Sequence, residues 1–428
     1  MKAVGCVQNK NDERKIMKTL NELKRDYAEL LIKEGLNIQK GQRLAINCPV
    51  ECADFGRLCA AEAYKAGCRE VIMKWADDEL TRMKYLYAEE DVFDSVNQWE
   101  VVFSDLISEE GAGWLAIYAE NPENLKDVDP DRIRRAQISN GKARAKFLER
   151  ETKNEFPWCV CSVPTAAWAK SVFPDLPKAD AMERLWIEIL KACRVDGENA
   201  IENWKTHSQE LQSHVEALNH YHFKTLRYKN SLGTDFTIGL PEGHFWAGGE
   251  EKAASGISFS ANIPTEEVFT LPDKNSANGR IAASKPLCIN GNIVDQFYFI
   301  VKNGKIVEVH AKQGEEILKD AIAVDEGASY FGEVALVPFD SPISNSEILF
   351  LNTLFDENAS CHIAFGEAYP CITGAENMSK EELEKLGVNS SLTHVDFMIG
   401  TSDLSIIGIT QDGSEIPVFI NGNFNPDL

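Results

Sequence analysis

With 428 residues, the chain exceeds the length that a single hydrophobic core normally supports, so its length predicts two domains. Hydrophobic residues make up 44% of the chain and charged residues 26%, a composition typical of folded proteins that argues against disorder. The net charge of −23 argues against nucleic acid and anionic membranes as partners, because both bind to basic surfaces.

Residues 1–17 are polar and unpatterned, and we expect a loose extension there, without the apolar stretch of a secretory signal. No apolar run reaches the ~18 residues that a membrane span requires. The cysteine spacings match neither zinc fingers nor a thioredoxin-like motif, and Cys159 and Cys161 lie in an apolar segment. These features predict reduced thiols and a cytoplasmic protein.

From Lys18 onward, a helical stripe is followed by strand and helix patterns in alternation. The clearest run is a strand over GQRLAINCPV (41–50), a helix over 53–67 that ends at Gly67, and a strand over REVIMKW (69–75). GWLAIYAEN and FPWCVCSVPT continue the pattern, and two helical stretches close it. Strand, helix, strand with short connections indicates parallel layering, so residues 18–222 are predicted to form an α/β domain.

Residues 223–428 change character to alternating, glycine-punctuated β segments. Four turn pairs predict hairpins: Asn290-Gly291, Asn303-Gly304, Asp412-Gly413 and Asn421-Gly422. We therefore expect a β-rich α+β domain here that carries the functional site. The dinucleotide motif and the phosphate-binding loop are both absent from the sequence, so the layering of the first half does not imply a nucleotide.

Two histidines near the C-terminal end stand among carboxylates. If THVDFMIG is a strand, His394 and Asp396 project from the same face. An imidazole and a carboxylate on one stiff element form one corner of a metal site. The alternative is a buried histidine that pairs with a carboxylate for structural reasons.

The other histidine, His362, lies in TLFDENASCHIAFGEAY, five residues after Glu357 and seven before Tyr369. Its neighbour Cys361 raises the alternative of a cysteine–histidine nucleophile. Adjacent residues rarely face each other, however, and no orienting partner is evident. A structural histidine remains the other alternative here.

Further carboxylates stand in apolar segments of the second half, where burial is costly unless they are paired or bind metal. Glu333 precedes an apolar strand in FGEVALVPF, and Glu266 and Glu267 lie between two prolines in IPTEEVFTLP. Carboxylates and imidazoles without a thiolate suit Zn²⁺, Co²⁺ or Mn²⁺ held as a pair, with one carboxylate bridging the ions. Tyr369 would then donate a hydrogen bond to a developing oxyanion.

These segments resemble the metallo-aminopeptidase family that includes aminopeptidase T and aminopeptidase S, the thermophilic metalloproteases. The resemblance extends over most of the chain from about residue 18. The matching blocks are IPTEEVFTLPD (263–273), GEVALVPFDSPIS (332–344), LFLNTLFDENASCHIAFGEAY (349–369) and SLTHVDFMIG (391–400). A further similar block is NSLGTDFTIGLPEGHFWAGGE (230–250).

The resemblance implies a dinuclear exopeptidase that removes N-terminal residues from peptides with a free N-terminus, through a water activated by the metal pair. It also implies a homodimer. By motif, the resemblance implies five metal ligands: Glu267, Glu333, His362, His394 and Asp396. Glu357 is a further possible ligand.

In this interpretation Glu333 bridges the ions, Tyr369 stabilises the oxyanion, and Glu266 or Glu357 transfers the proton. The pattern does not select the native metal among zinc, cobalt, manganese and magnesium. Two alternatives remain open. One is a two-metal hydrolase of phosphoesters or non-peptide amides, and the other is a metal-stabilised binding protein.

Overall fold

The structure is a computed structural model that describes residues 18–119, 121–289 and 292–428. The predicted extension over residues 1–17 and the predicted Asn290-Gly291 turn lie outside the described residues. Within the described ranges, no helix is both long and apolar enough to cross a membrane.

Helices dominate the first half of the described chain and strands the second. The helices are α1 (Leu20–Leu30), α2 (Ala53–Lys65), α3 (Asp78–Tyr87), α4 (Gln98–Glu109), α5 (Pro130–Thr152), α6 (Ala166–Val172), α7 (Lys178–Ala192), α8 (Ala200–Tyr221), α9 (Glu315–Ala321), α10 (Pro342–Asn345), α11 (Thr353–Asp356) and α12 (Lys380–Lys385). The strands are β1 (Arg43–Pro49), β2 (Glu70–Ala76), β3 (Gly113–Ile117), β4 (Trp158–Cys161), β5 (Thr225–Lys229), β6 (Asp235–Gly239), β7 (Ala247–Gly248), β8 (Glu251–Lys252), β9 (Ser258–Phe259), β10 (Asn262–Ile263), β11 (Val268–Thr270), β12 (Asn278–Ala282), β13 (Leu287–Ile289), β14 (Asn292–Lys302), β15 (Lys305–Gln313), β16 (Phe331–Leu336), β17 (His362–Gly366), β18 (His394–Met398), β19 (Ser405–Ile409), β20 (Glu415–Ile420) and β21 (Asn423–Phe424).

The predicted strands of the first half form a parallel sheet in the order β10-β4-β3-β1-β2. Successive residues Leu44, Ala45 and Ile46 of β1 are all buried, as expected for a strand that is covered on both faces. The edge strand β10 comes from residues 262–263, beyond the predicted boundary. The mixed α/β fold is confirmed, whereas the division between residues 222 and 223 stays a prediction.

Two antiparallel sheets account for most strands of the second half. One has five strands in the order β18-β17-β16-β11-β7. The other has nine strands, in which β13-β14-β12-β6-β5-β19-β20-β21 run side by side and β15 pairs with β14. The turn pairs Asn303-Gly304, Asp412-Gly413 and Asn421-Gly422 connect paired antiparallel strands, as predicted.

Each half has its own large apolar core, and elements of both halves contribute to the first. Phe350 and Phe355, from the second half, pack in the core that surrounds the parallel sheet. Helix α8 connects the two cores, because Trp204 packs in the first and Leu218 in the second. The two halves are therefore joined by shared packing as well as by the chain.

Candidate metal centre

The five-stranded antiparallel sheet carries the predicted metal ligands on neighbouring strands. Glu333 lies on β16, His362 begins β17, and His394 and Asp396 lie on β18. Glu267 immediately precedes β11, which pairs with β16 on the side opposite to β17. Residues far apart in the sequence therefore meet on one sheet.

Gly332 determines the face to which Glu333 points. The register between β16 and β17 shifts by one residue between Phe331 and Glu333, which makes a β-bulge. The bulge interrupts the alternation of the strand, so Phe331 enters the apolar core while Glu333 points to the opposite face. A Cβ atom on Gly332 would lie 2.3 Å from the carbonyl oxygen of Glu367, so glycine is required here.

Ala364 keeps space open between two of the carboxylates. It is paired with Glu333 on one side and with Asp396 on the other. Directly opposed residues in antiparallel strands project to the same face. The three side chains therefore form a row in which a small methyl group separates two acids.

The side chains form two overlapping groups of ligand atoms. His362 Nε2 lies 3.2 Å from Glu267 Oε2 and 3.6 Å from Glu333 Oε1. His394 Nε2 lies 3.5 Å from Glu333 Oε2 and 3.3 Å from Asp396 Oδ1. Within each group the ligand atoms all lie within 4.8 Å of one another. Glu333 belongs to both groups and presents one oxygen to each histidine.

Both imidazole rings are oriented by backbone carbonyl groups. His362 Nδ1 lies 3.1 Å from the Ser360 oxygen, and His394 Nδ1 lies 2.8 Å from the Glu367 oxygen. Because a carbonyl oxygen can only accept, each Nδ1 carries a proton and donates it. Each Nε2 is thus left facing the carboxylates, which is the arrangement of histidines that bind metal.

The protonation of the site follows from its crowded charges. Burial lowers the pKa of His394, but the carboxylates of Asp396 and Glu333 outweigh it and raise the pKa to about 10. Burial also lowers the pKa of His362, and hydrogen bonds to Glu267 and Glu333 raise it well above its usual value. Burial raises the pKa of Glu333. In the metal-free protein, protons therefore supply the positive charge that the carboxylates require.

The residues present fit a divalent metal ion. Asp396 Oδ1 is buried, and its neighbour among the described residues is His394 Nε2 at 3.3 Å, without hydrogen-bond geometry, so the oxygen is a strong acceptor for a cation. His362 is 1% exposed and Glu333 is 7% exposed, so the ligands lie in a low-dielectric setting where unpaired charge is costly. Oxygen and nitrogen donors without a thiolate suit Zn²⁺, Co²⁺ or Mn²⁺.

Metal affinity is expected to rise with pH. The pKa of His394 is raised, so its Nε2 holds a proton from neutral pH up to about pH 10, and metal must displace that proton. Between pH 6 and 9 the association constant should increase about tenfold per pH unit for each histidine proton released. Zn²⁺ titration of the metal-free protein against a competing chelator measures this slope. A flat or falling affinity would contradict the assignment of these imidazoles as ligands.

Glu357 and Tyr369 lie beside the two groups but belong to neither. Burial raises the pKa of Glu357 well above its usual value, and the carboxylates of Asp396 and Glu267 add to the shift. The Tyr369 ring centroid lies 5.4 Å from that of His394, and the side chain is 50% exposed. Burial of part of this side chain and the carboxylate of Glu333 raise its pKa.

A cleft of about 500 Å³ opens next to Glu357 and Asp396. Residues of both halves line it. From the first half these include Asp78, Tyr85, Tyr118, Ile133 and Gln137, and from the second half Leu287, Leu349, Leu351 and Met398. The cleft therefore gives a small molecule or a chain end access to the ligand groups.

Glu266 does not face the ligand groups. Its carboxylate is 2% exposed and accepts two hydrogen bonds from Arg194, at 2.6 and 2.8 Å. A carboxylate held in this way is not available to move a proton at the cleft. Of the two residues expected for proton transfer, Glu357 is therefore the one that lines the cleft.

The Cys361 thiol does not pair with His362. Its sulfur lies 3.2 Å from the Val337 carbonyl oxygen, within the apolar core of the second half. Burial raises the pKa of this thiol to about 12, so it is not a nucleophile near neutral pH. The geometry thus disagrees with the cysteine–histidine alternative.

Sequence reasoning missed the supports of the site. Gly332 was not recognised as a bulge, although an isolated glycine inside a strand pattern is the usual signal for one. The cleft residues of the first half, such as Tyr85 and Gln137, carry no local signal. They reach the site only through the packing of the two halves.

Comparisons with known proteins agree with this site. Residues 20–424 match the family of thermophilic metalloproteases (M29). Aminopeptidase AmpS of Bacillus subtilis (strain 168) is 45% identical over 399 residues, which cover 93% of this chain and 97% of the relative. Aminopeptidase 2 of Geobacillus stearothermophilus is 45% identical over 403 residues, which cover 94% of this chain and 97% of that relative.

A solved structure shows the same fold. Wild-type AmpT from Thermus thermophilus matches with a TM-score of 0.89 and 37% identity, covering 95% of this chain and 100% of that one. The family resemblance read from the sequence is confirmed, and membership of a metalloprotease family implies a divalent metal cofactor. The chain belongs to the thermophilic metalloprotease (M29) family and is a metallo-exopeptidase of the aminopeptidase type.

Proposed function

We propose that this aminopeptidase binds two divalent ions, one in each ligand group, and removes N-terminal residues from peptides. The observation that carries the proposal is the position of Glu333, whose two oxygens are shared between the groups. Bound ions of this kind polarise a carbonyl group and lower the pKa of water. Zinc, cobalt, manganese and magnesium are the candidate metals, and Glu333, which presents one oxygen to each group, would be a ligand to both ions.

The chain supplies the remaining chemistry through its own side chains. The Tyr369 hydroxyl donates a hydrogen bond to the oxygen that becomes negative when the scissile carbonyl is attacked. The raised pKa of Tyr369 keeps that hydroxyl protonated near neutral pH. Glu357, which lines the cleft, accepts the proton that the attacking water releases and passes it to the amine that leaves. Glu357 as a sixth ligand remains the other prediction for this residue.

The cleft beside Glu357 and Asp396 is proposed to receive the peptide. Its volume of about 500 Å³ lies within the range of ligand-binding clefts. Apolar side chains such as Leu125, Ile133 and Leu287 alternate there with polar ones, so both side chains and main-chain groups of a peptide find partners.

Cellular setting and assembly belong to the same proposal. The buried cysteines of the described chain carry free thiols, which supports a cytoplasmic location. Exposed apolar side chains on α3 and on α4 support the homodimer that the family suggests, because exposed apolar surface is often covered by a subunit contact. These residues are Leu80, Met83 and Tyr87 on α3, and Trp99, Val102 and Leu106 on α4.

The first test is cleavage of short peptides with free and with acetylated N-termini. Each peptide is incubated with the untreated protein, with the chelated protein, and with chelated protein resupplied with one divalent metal. We expect release of the first residue from free-amine peptides alone, with loss of release on chelation and recovery on metal addition. Mass spectrometry of the products checks this result.

Two other results would overturn the proposal. Hydrolysis of phosphoesters or non-peptide amides without peptide cleavage would indicate a different two-metal hydrolase. Metal binding without hydrolysis of any of these substrates would indicate a binding protein stabilised by metal.

A further inference from the structure

A partly buried ion pair joins the two halves of the molecule next to Glu267, a ligand in the proposed metal site. Arg194 follows α7 and has a φ of 58°, which non-glycine residues adopt rarely. Its guanidinium donates to Glu266 Oε1 at 2.6 Å and to Oε2 at 2.8 Å. A bidentate contact of this kind fixes the orientation of the carboxylate as well as its position.

The backbone of the same segment is held by two more side chains. The Glu266 N–H donates to Asn358 Oδ1 at 2.7 Å, and Asn358 is fully buried. The carbonyl oxygen of Thr265 accepts a hydrogen bond from His207 Nε2 at 2.7 Å. His207 lies on α8, so a second element of the first half also holds the segment.

These contacts determine where Glu267 points. Residue 267 leads directly into β11, and the carboxylates of Glu266 and Glu267 contact different partners, Arg194 and His362. With the Glu266 carboxylate fixed against Arg194, the Glu267 carboxylate is directed away from it, toward His362 Nε2 at 3.2 Å. Asn358 also lies close to the ligand groups, because its Nδ2 is 3.5 Å from Oε1 of Glu357, which lies beside those groups.

We propose that Arg194 and Asn358 are positioning residues for the metal centre. They hold the backbone and carboxylate of Glu266 so that Glu267 is aimed into the group formed with Glu333 and His362. The other group, Glu333 with His394 and Asp396, is built on β16 and β18, on either side of β17, and none of its three residues contacts Arg194 or Glu266. The inference rests on the two-ion site of the proposed function, but it does not depend on which substrate is cleaved.

The test is Co²⁺ titration of the metal-free protein, followed by visible absorption, which reports both affinity and coordination. In Arg194→Met we expect the affinity of one of the two sites to fall by about 10- to 100-fold, with an altered spectrum, while the second site keeps its affinity. Arg194→Lys keeps the charge but loses the bidentate geometry. Its Co²⁺ affinity at this site should lie between those of Arg194→Met and the wild-type protein. Asn358→Ala should weaken the same site.

Arg227→Met is the matched control, since Arg227 makes a similar bidentate ion pair on the surface. Its guanidinium donates to Glu415 Oε1 at 2.9 Å and to Oε2 at 2.8 Å. This variant should leave the Co²⁺ titration unchanged. Because Arg194→Met leaves the buried Glu266 carboxylate without its guanidinium partner, a double variant, Arg194→Met with Glu266→Leu, guards against simple misfolding. Thermal unfolding of each metal-free variant checks that it is folded.

Two outcomes decide the inference. If the folded double variant binds Co²⁺ with weakened affinity at one site, the ion pair positions Glu267. If the folded double variant and Asn358→Ala both keep the wild-type affinity and spectrum, the inference is overturned. Failure of the wild-type protein to cleave peptides would overturn the proposed function instead, and would leave this metal-binding comparison intact.

Discussion

Replacing Glu333 with glutamine is expected to remove most metal and most activity. Glu333 contributes an oxygen to each ligand group, so loss of its charge weakens both groups at once. A Lewis-acid ion contributes several kcal/mol to catalysis, so kcat/KM for a free-amine peptide should fall by about 10³-fold or more. Metal analysis after dialysis, together with peptide kinetics, measures both effects.

The matched control for this change is Glu308→Gln. Glu308 also lies beside a histidine, 3.2 Å from His310 Nε2, but the pair is exposed and lies on the nine-stranded sheet, not on the sheet that carries the ligands. This variant should keep wild-type metal content and activity. A Glu333→Gln protein that does the same would rule out the shared-ligand assignment.

Replacing Tyr369 with phenylalanine is expected to lower turnover without loss of metal. The ring would keep its contact with His394, and only the hydroxyl group would be removed. Loss of one hydrogen bond to an oxyanion typically lowers kcat by about 10²- to 10³-fold. We expect KM to change little, since the bond forms mainly in the transition state.

Metal analysis and steady-state kinetics of Tyr369→Phe separate the possible roles of the hydroxyl. Tyr64→Phe on α2 serves as the control, because Tyr64 is 53% exposed and does not line the cleft. Full activity of Tyr369→Phe would show that the hydroxyl has no part in the reaction. Reduced activity with a matching loss of metal would instead make Tyr369 a support of the metal site.

The sequence predicted local features of the site well. The two-residue period of a strand places His394 and Asp396 on one face, and that relation is present in β18. The same period would place Phe331 and Glu333 on one face, and there the structure differs because of the bulge at Gly332. Local periodicity therefore predicts the orientation of side chains only where the strand is regular.

Contacts between residues that are distant in the sequence could not be predicted from local periodicity. Nothing in IPTEEVFTLP indicates that Glu266 meets Arg194, because that contact depends on how α7 packs against the second half. The strand β10 was also not predicted, since two residues are too few for a periodic pattern. The ligand and catalytic roles themselves remain predictions that the experiments above decide.

The position of β10 has a consequence for how the chain folds during synthesis. Residues 264–267 alone connect β10, at the edge of the parallel sheet, to β11 in the antiparallel sheet. The first sheet therefore lacks a strand until residue 263 has been made, and the Glu267 ligand group cannot form until both sheets exist. Completion of the two sheets is therefore coupled through this short connection, and a stably bound metal at the Glu267 group would mark a chain whose assembly is complete.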